Sequence, residues 1–114
     1  DLPYYDTQHG RAQLIVPYTL DANDMKFVAL NGFTTGEQFG SYLIDAFDTL
    51  YTEGETAPKM MSVGLHCRIV GKPGRIQGLR RFLTHLAAKD KVWVAHRIDI
   101  ARHWLAHHPY RIDA

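Results

Sequence analysis

The chain contains a single cysteine, Cys67, so no internal disulfide can brace it and a reducing compartment is expected, by default the cytoplasm. It has no apolar run near the roughly 18–20 residues that a membrane span needs, and a membrane is not among the expected partners. Its opening residues, Asp1-Leu2-Pro3-Tyr4-Tyr5, form neither a signal peptide nor an initiator methionine, and further residues are expected ahead of them. An excess of one charge is also missing. With 13 Lys and Arg against 12 Asp and Glu, the net charge of +1 supplies no bulk field for a polyanion, and nucleic acid is not an expected partner. No internal repeat, low-complexity tract or linker-like run divides the sequence.

At 114 residues and 46% hydrophobic, the chain is long enough for one small core, and residues 1–114 are expected to form a single, partial domain. Gln13-Leu14-Ile15-Val16-Pro17-Tyr18 reads as a buried strand, because a continuous β-branched apolar run suits a strand covered on both faces. A polar connection follows from Thr19 to Gly32, with turn chemistry at Asp21-Ala22-Asn23-Asp24. Thr35-Gly36-Glu37-Gln38 is a capping box. Phe39, Leu43, Phe47 and Leu50 then recur at helical steps as far as Gly54, a favoured C-cap residue. Met60 to His66 reads as a second strand. After the turn Gly71-Lys72-Pro73-Gly74, a second helix carries Ile76, Leu79, Phe82 and Leu86. Val92 to Ala95 reads as a third strand, and Asp99 as the cap of a last helix that stops before Pro109. Three strand-helix units in this order predict an α/β fold with parallel strands and right-handed crossovers. In such folds ligands bind beyond the carboxyl ends of the strands, which points to residues 18–24, 66–68 and 96–97.

His66 is the sharpest candidate for chemistry: an imidazole ending an apolar strand is placed for acid–base work near neutral pH. Cys67 has no basic cluster beside it in sequence and reads as inert. Asp99, His103 and His107 share a helical face at four-residue spacing, but no glutamate completes a HExxH motif, and the face reads as solvated. Gly71-Lys72-Pro73-Gly74-Arg75 lacks P-loop spacing and reads as a turn. Arg75, Arg80, Arg81 and Lys89 form the charged outer side of a helix without interleaved aromatics. Asp21, Asn23 and Asp24 lack the glycine and closing glutamate of a calcium loop.

Taken together, Val16-Pro17-Tyr18-Thr19-Leu20-Asp21-x-Asn23-Asp24-Met25, Pro58 through Arg68 with Leu65-His66 inside it, Gly71 through Arg75, and Asp99 through Trp104 resemble one family. It is the cofactor-independent allantoinase group of the polysaccharide-deacetylase superfamily, and the resemblance runs over nearly the whole chain. It implies the C-terminal part of a distorted β/α barrel that hydrolyses the cyclic amide of allantoin to allantoate, in purine catabolism. It implies His66 as general acid, through the superfamily's leucine-histidine motif. It also implies no cofactor and no metal site in this stretch, a small-molecule ureide as substrate, and contacts to it from Asp1, Tyr18, Asn23, Asp24 and Arg68. The superfamily's Asp-Asp and His-x3-His motifs belong to the N-terminal half and are not present here. The N-terminal remainder of the barrel or a second chain is therefore an expected partner, and a homo-oligomer the expected assembly. Two further readings stand beside this one: a metal-dependent deacetylase of N-acetylated sugars, and a non-catalytic interaction module.

Overall fold

A computed structural model of the protein describes residues 1–29 and 31–112. The chain groups into two compact units, Tyr18–Val92 and Asp1–Pro17 with Trp93–Ala114.

In the larger unit, α1 (Gly36–Glu53) forms as its sequence dictates. Thr35 Oγ1 accepts the Gln38 amide at 3.1 Å and Gln38 Oε1 accepts the Thr35 amide at 3.2 Å, so both halves of the capping box are made. The helix ends at Gly54, whose φ of −64° is ordinary for any residue; the expected stop is there, without the left-handed turn that favours glycine. α3 (Pro73–Ala87) starts three residues ahead of the expected apolar face, because Pro73 pre-sets helical φ in the first turn. A one-turn helix, α2 (Cys67–Val70), precedes it, and a short 3-10 helix (Asp24–Phe27) interrupts the polar connection.

α1 and α3 pack with their backbones nearly touching. A Cβ on Gly78 would lie 2.0 Å from the Gly36 carbonyl oxygen, and one on Gly40 2.7 Å from that of Gly78. The close approach lets Phe39, Leu43, Phe47 and Phe82 share one core with Ala22 and Val70. His85 Nε2 meets Asp48 Oδ1 at 2.6 Å between the two helices. Tyr51 donates to Asp90 Oδ1 at 2.6 Å, a bond that holds the Asp90 carboxyl below its usual range and pushes the Tyr51 phenol up. Lys91 beside it has φ +58°, a conformation that strains any residue with a Cβ. Lys91→Gly is expected to stabilise the unit by up to about 1 kcal/mol, read as a higher midpoint in urea with an unchanged slope; a lower midpoint would show that the lysine contributes more than its backbone costs.

The expected parallel sheet is only partly realised. Among the described residues, 60–66 form no ladder: their one backbone pairing there is a parallel bridge between Gly64 and Asn23. Thr19 and Ser62 exchange amide-to-hydroxyl bonds at 2.8 Å where a ladder would use carbonyls. The pairing stops after Asn23 because Asp24 enters the 3-10 helix and turns the chain away.

In the smaller unit, the expected strand at 13–18 shortens to β2 (Gln13–Ile15) and pairs antiparallel with β1 (Tyr4–Asp6), an element whose three residues show too short a pattern to announce it. Pro17 has no amide to extend it. Arg97 instead donates to the Val16 and Pro17 carbonyls. Residues 92–95 are not a strand among the described residues; Trp93 and Val94 are exposed and find no strand to pair with. α4 (Arg97–His107) starts at His96 rather than Asp99, which sits in its first turn where a carboxylate suits the helix dipole. The helix ends before Pro109, as expected.

Candidate active site

The bridge between Asn23 and Gly64 brings two side chains together that stand 42 residues apart. Asp24 opens the 3-10 helix and is fully buried. His66 has extended backbone (φ −119°, ψ 122°) and is the residue from which α2 starts. Asp24 Oδ1 lies 2.7 Å from His66 Nδ1, and Oδ2 accepts the backbone amides of His66 at 2.5 Å and Val70 at 3.3 Å. Every oxygen of the carboxylate therefore has a partner, as a buried charge requires.

The pairing has a chemical consequence. A carboxylate accepting from Nδ1 fixes that nitrogen as N–H, so any proton exchanged with a ligand passes through Nε2. The His66 side chain is 42% exposed while its partner is 0%. The arrangement is that of an oriented general acid or base.

Packing sets this geometry from behind. Phe39 on α1 meets Phe27 of the 3-10 helix edge-on, with ring centres 5.2 Å apart. Arg75 on α3 lies over the Phe27 ring at 4.8 Å and donates to the Ile69 carbonyl at 3.1 Å, bracing α2.

The remaining expected site residues are placed as follows. Asn23 accepts the Met25 amide at 2.9 Å and caps the 3-10 helix. Asp24 faces the interior, with no carboxylate oxygen left over for a ligand, and so does not sit as the substrate contact expected from sequence. Arg68 is exposed on α2, two residues past His66. Tyr18 is 72% exposed. Asp1 is exposed in the smaller unit. Cys67 is exposed. Of the helical triplet, Asp99 pairs with Arg102 at 3.8 Å, while the His103 and His107 rings stack and His107 Nδ1 meets the His103 carbonyl oxygen at 2.9 Å. Among the described residues, no three His, Cys, Asp or Glu side chains are grouped to hold a metal ion. Asp21, not singled out alone in the sequence, accepts the Tyr42 phenol at 2.5 Å, and that bond pushes the Tyr42 phenol up.

No protein-family model matches the chain. Over 105 residues, or 91% of its length, the chain is 54% identical to a candidate polysaccharide deacetylase of Schizosaccharomyces pombe, of which it spans 33%. Two crystal structures superpose on 97% of the chain with a TM-score of 0.92: a candidate polysaccharide deacetylase from Pseudomonas aeruginosa PAO1 at 55% identity, and Puue allantoinase at 51%. Its homologues are hydrolases of the deacetylase and allantoinase type. The chain spans only 33–38% of the length of these relatives, so it corresponds to one part of each. Among the described residues, no helix is long and apolar enough to cross a membrane.

Proposed function

We propose that the chain forms the C-terminal wall of a distorted β/α-barrel amidohydrolase that opens the cyclic amide of allantoin, with His66 as general acid. The observation that carries this reading is the Asp24–His66 pair, in which the carboxylate engages Nδ1 and leaves Nε2 as the nitrogen for proton transfer. Water adds to the ring carbonyl, the ring C–N bond breaks, and Nε2 delivers its proton to the departing nitrogen, leaving a ureido carboxylic acid. Asp24 keeps the proton of Nδ1 in place and acts as a positioning residue. Tyr18 and Arg68, each exposed in the larger unit, hold the polar ureide. The residue that activates water lies outside these 114, in the N-terminal remainder of the barrel or a second chain. The likeness to Puue allantoinase supports the choice of substrate.

A second reading, hydrolysis of acetyl groups on N-acetylated sugars, draws support from the two deacetylase-type relatives. The same proton delivery serves there, toward a sugar amine. The full-length protein is expected to form allantoate from allantoin at a rate unchanged by chelator. Release of acetate from chitooligosaccharides, with no ring opening, would replace the first reading by the second.

A further inference from the structure

We propose that Asn23 and Gly64 form a steric register lock that sets Asp24 opposite His66, which makes Asn23 a positioning residue; the proposal rests on the Asp24–His66 pair being the proton-transfer centre. Register at this point is not inherited from the neighbouring contacts. Asn23 comes four positions after Thr19, but Gly64 only two after Ser62, so the first segment carries extra length between the two points where they meet. Leu20 and Asp21 take up that excess, with Leu20 almost fully exposed and Asp21 tied to Tyr42. A local device must therefore fix which residue of the first segment faces His66.

Gly64 supplies it in two ways. Its amide donates to the Ala22 carbonyl at 2.8 Å and its carbonyl accepts the Asp24 amide at 3.0 Å, bracketing Asn23 from both sides. Its missing side chain leaves the space that Asn23 occupies: a Cβ at Gly64 would lie 2.3 Å from Asn23 Nδ2 and 2.9 Å from Cγ. Asn23 cannot swing aside without giving up its bond to the Met25 amide, which starts the 3-10 helix at Asp24. A slip of one residue would turn Asp24 away from His66, because successive side chains of an extended segment face opposite sides.

The test uses the full chain with Gly64→Ala, Asn23→Ser and the two combined. Serine keeps a capping oxygen and lacks the amide nitrogen that would lie 2.3 Å from the new Cβ. Two quantities are read: the hydrogen-bonded Nδ1 proton of His66 by NMR, and kcat and KM on whichever of allantoin or chitooligosaccharide the wild type hydrolyses. Gly64→Ala is expected to lose the Nδ1 proton signal and to lower kcat about 100-fold, with KM little changed. Adding Asn23→Ser is expected to restore the signal and to bring kcat back to within about tenfold of wild type. A Gly64→Ala protein that keeps both, or a double variant no better than Gly64→Ala, overturns the lock. If Gly64→Ala does not fold, Asn23→Ala carries the test, with a weakened signal and about a tenfold lower kcat expected; wild-type values in that variant overturn the lock. Absence of the signal from the wild type itself would instead overturn the proton-transfer reading, a separate result.

Discussion

His66→Ala in the full-length protein is expected to lower turnover by about 10²- to 10⁴-fold, the usual contribution of a positioned general acid, while the folded protein persists. The imidazole is 42% exposed and contributes nothing to the core. Its removal opens the place beside Asp24 Oδ1 to water, and the backbone amides of residues 66 and 70 still bind Oδ2. Asp24→Asn should lose activity by a different route, with a cost in stability as well. An amide has one acceptor oxygen where the carboxylate has two. If that oxygen serves the two backbone amides, the NH₂ group points at Nδ1 and drives the ring proton to the wrong tautomer for Asp-backed transfer. If it serves Nδ1, two buried N–H groups face a donor, each at a cost of about 1–3 kcal/mol. Urea unfolding of the two variants therefore ranks them: Asp24→Asn is the less stable, although it is nearly the same size as the residue it replaces. Turnover of His66→Ala within tenfold of wild type would remove His66 from the chemistry. An Asp24→Asn protein as stable and active as the wild type would mean that the carboxylate is not the partner the geometry makes it.

The sequence disclosed the helices more fully than the sheet, for a physical reason. Thr35 and Gln38 act on amides three residues away, so the start of α1 is a local property that the chain states by itself. Strands at 60–66 and 92–95 are statements about neighbours: an apolar run becomes a strand only where another backbone accepts its hydrogen bonds. Among the described residues, 60–66 find such a partner only at Asn23, because the connecting segment bulges at Leu20 and then coils into the 3-10 helix at Asp24. β1 was hidden for the converse reason, since Tyr4-Tyr5-Asp6 has no period of its own and is a strand because Gln13–Ile15 lies beside it. Within the site, His66 was legible as a strand-end histidine. The burial of Asp24 was not: Asp21-Ala22-Asn23-Asp24 reads as a polar turn, and nothing in four adjacent letters distinguishes the aspartate that turns inward from the one that binds Tyr42 at the surface. Pro73 and Arg97 moved helix starts by a few residues.

Gly78→Ala is expected to destabilise the larger unit by about 2 kcal/mol. That is the balance of an overpacking cost of about 3 kcal/mol, at the upper end of the usual range because backbone meets backbone, and a gain of about 1 kcal/mol from replacing glycine inside a helix. The new Cβ would sit 2.0 Å from the Gly36 carbonyl oxygen, which belongs to α1 and cannot rotate away as a side chain could. Gly40→Ala, at 2.7 Å from the Gly78 carbonyl oxygen, should destabilise less. Gly74→Ala, on the same helix as Gly78 but with nothing within 4 Å of the added atom, should stabilise by up to about 1 kcal/mol. One chemical change thus yields opposite signs along one helix, and urea midpoints of the three variants decide the order. If Gly78→Ala is as stable as Gly74→Ala, the helices are not in backbone contact. The effect should also reach the active site. α1 holds Phe27 through Phe39, α3 holds it through Arg75, and Phe27 ends the 3-10 helix that Asp24 begins. Moving the helices apart therefore loosens the support of Asp24, and Gly78→Ala should weaken the Nδ1 proton signal of His66 in molecules that are still folded.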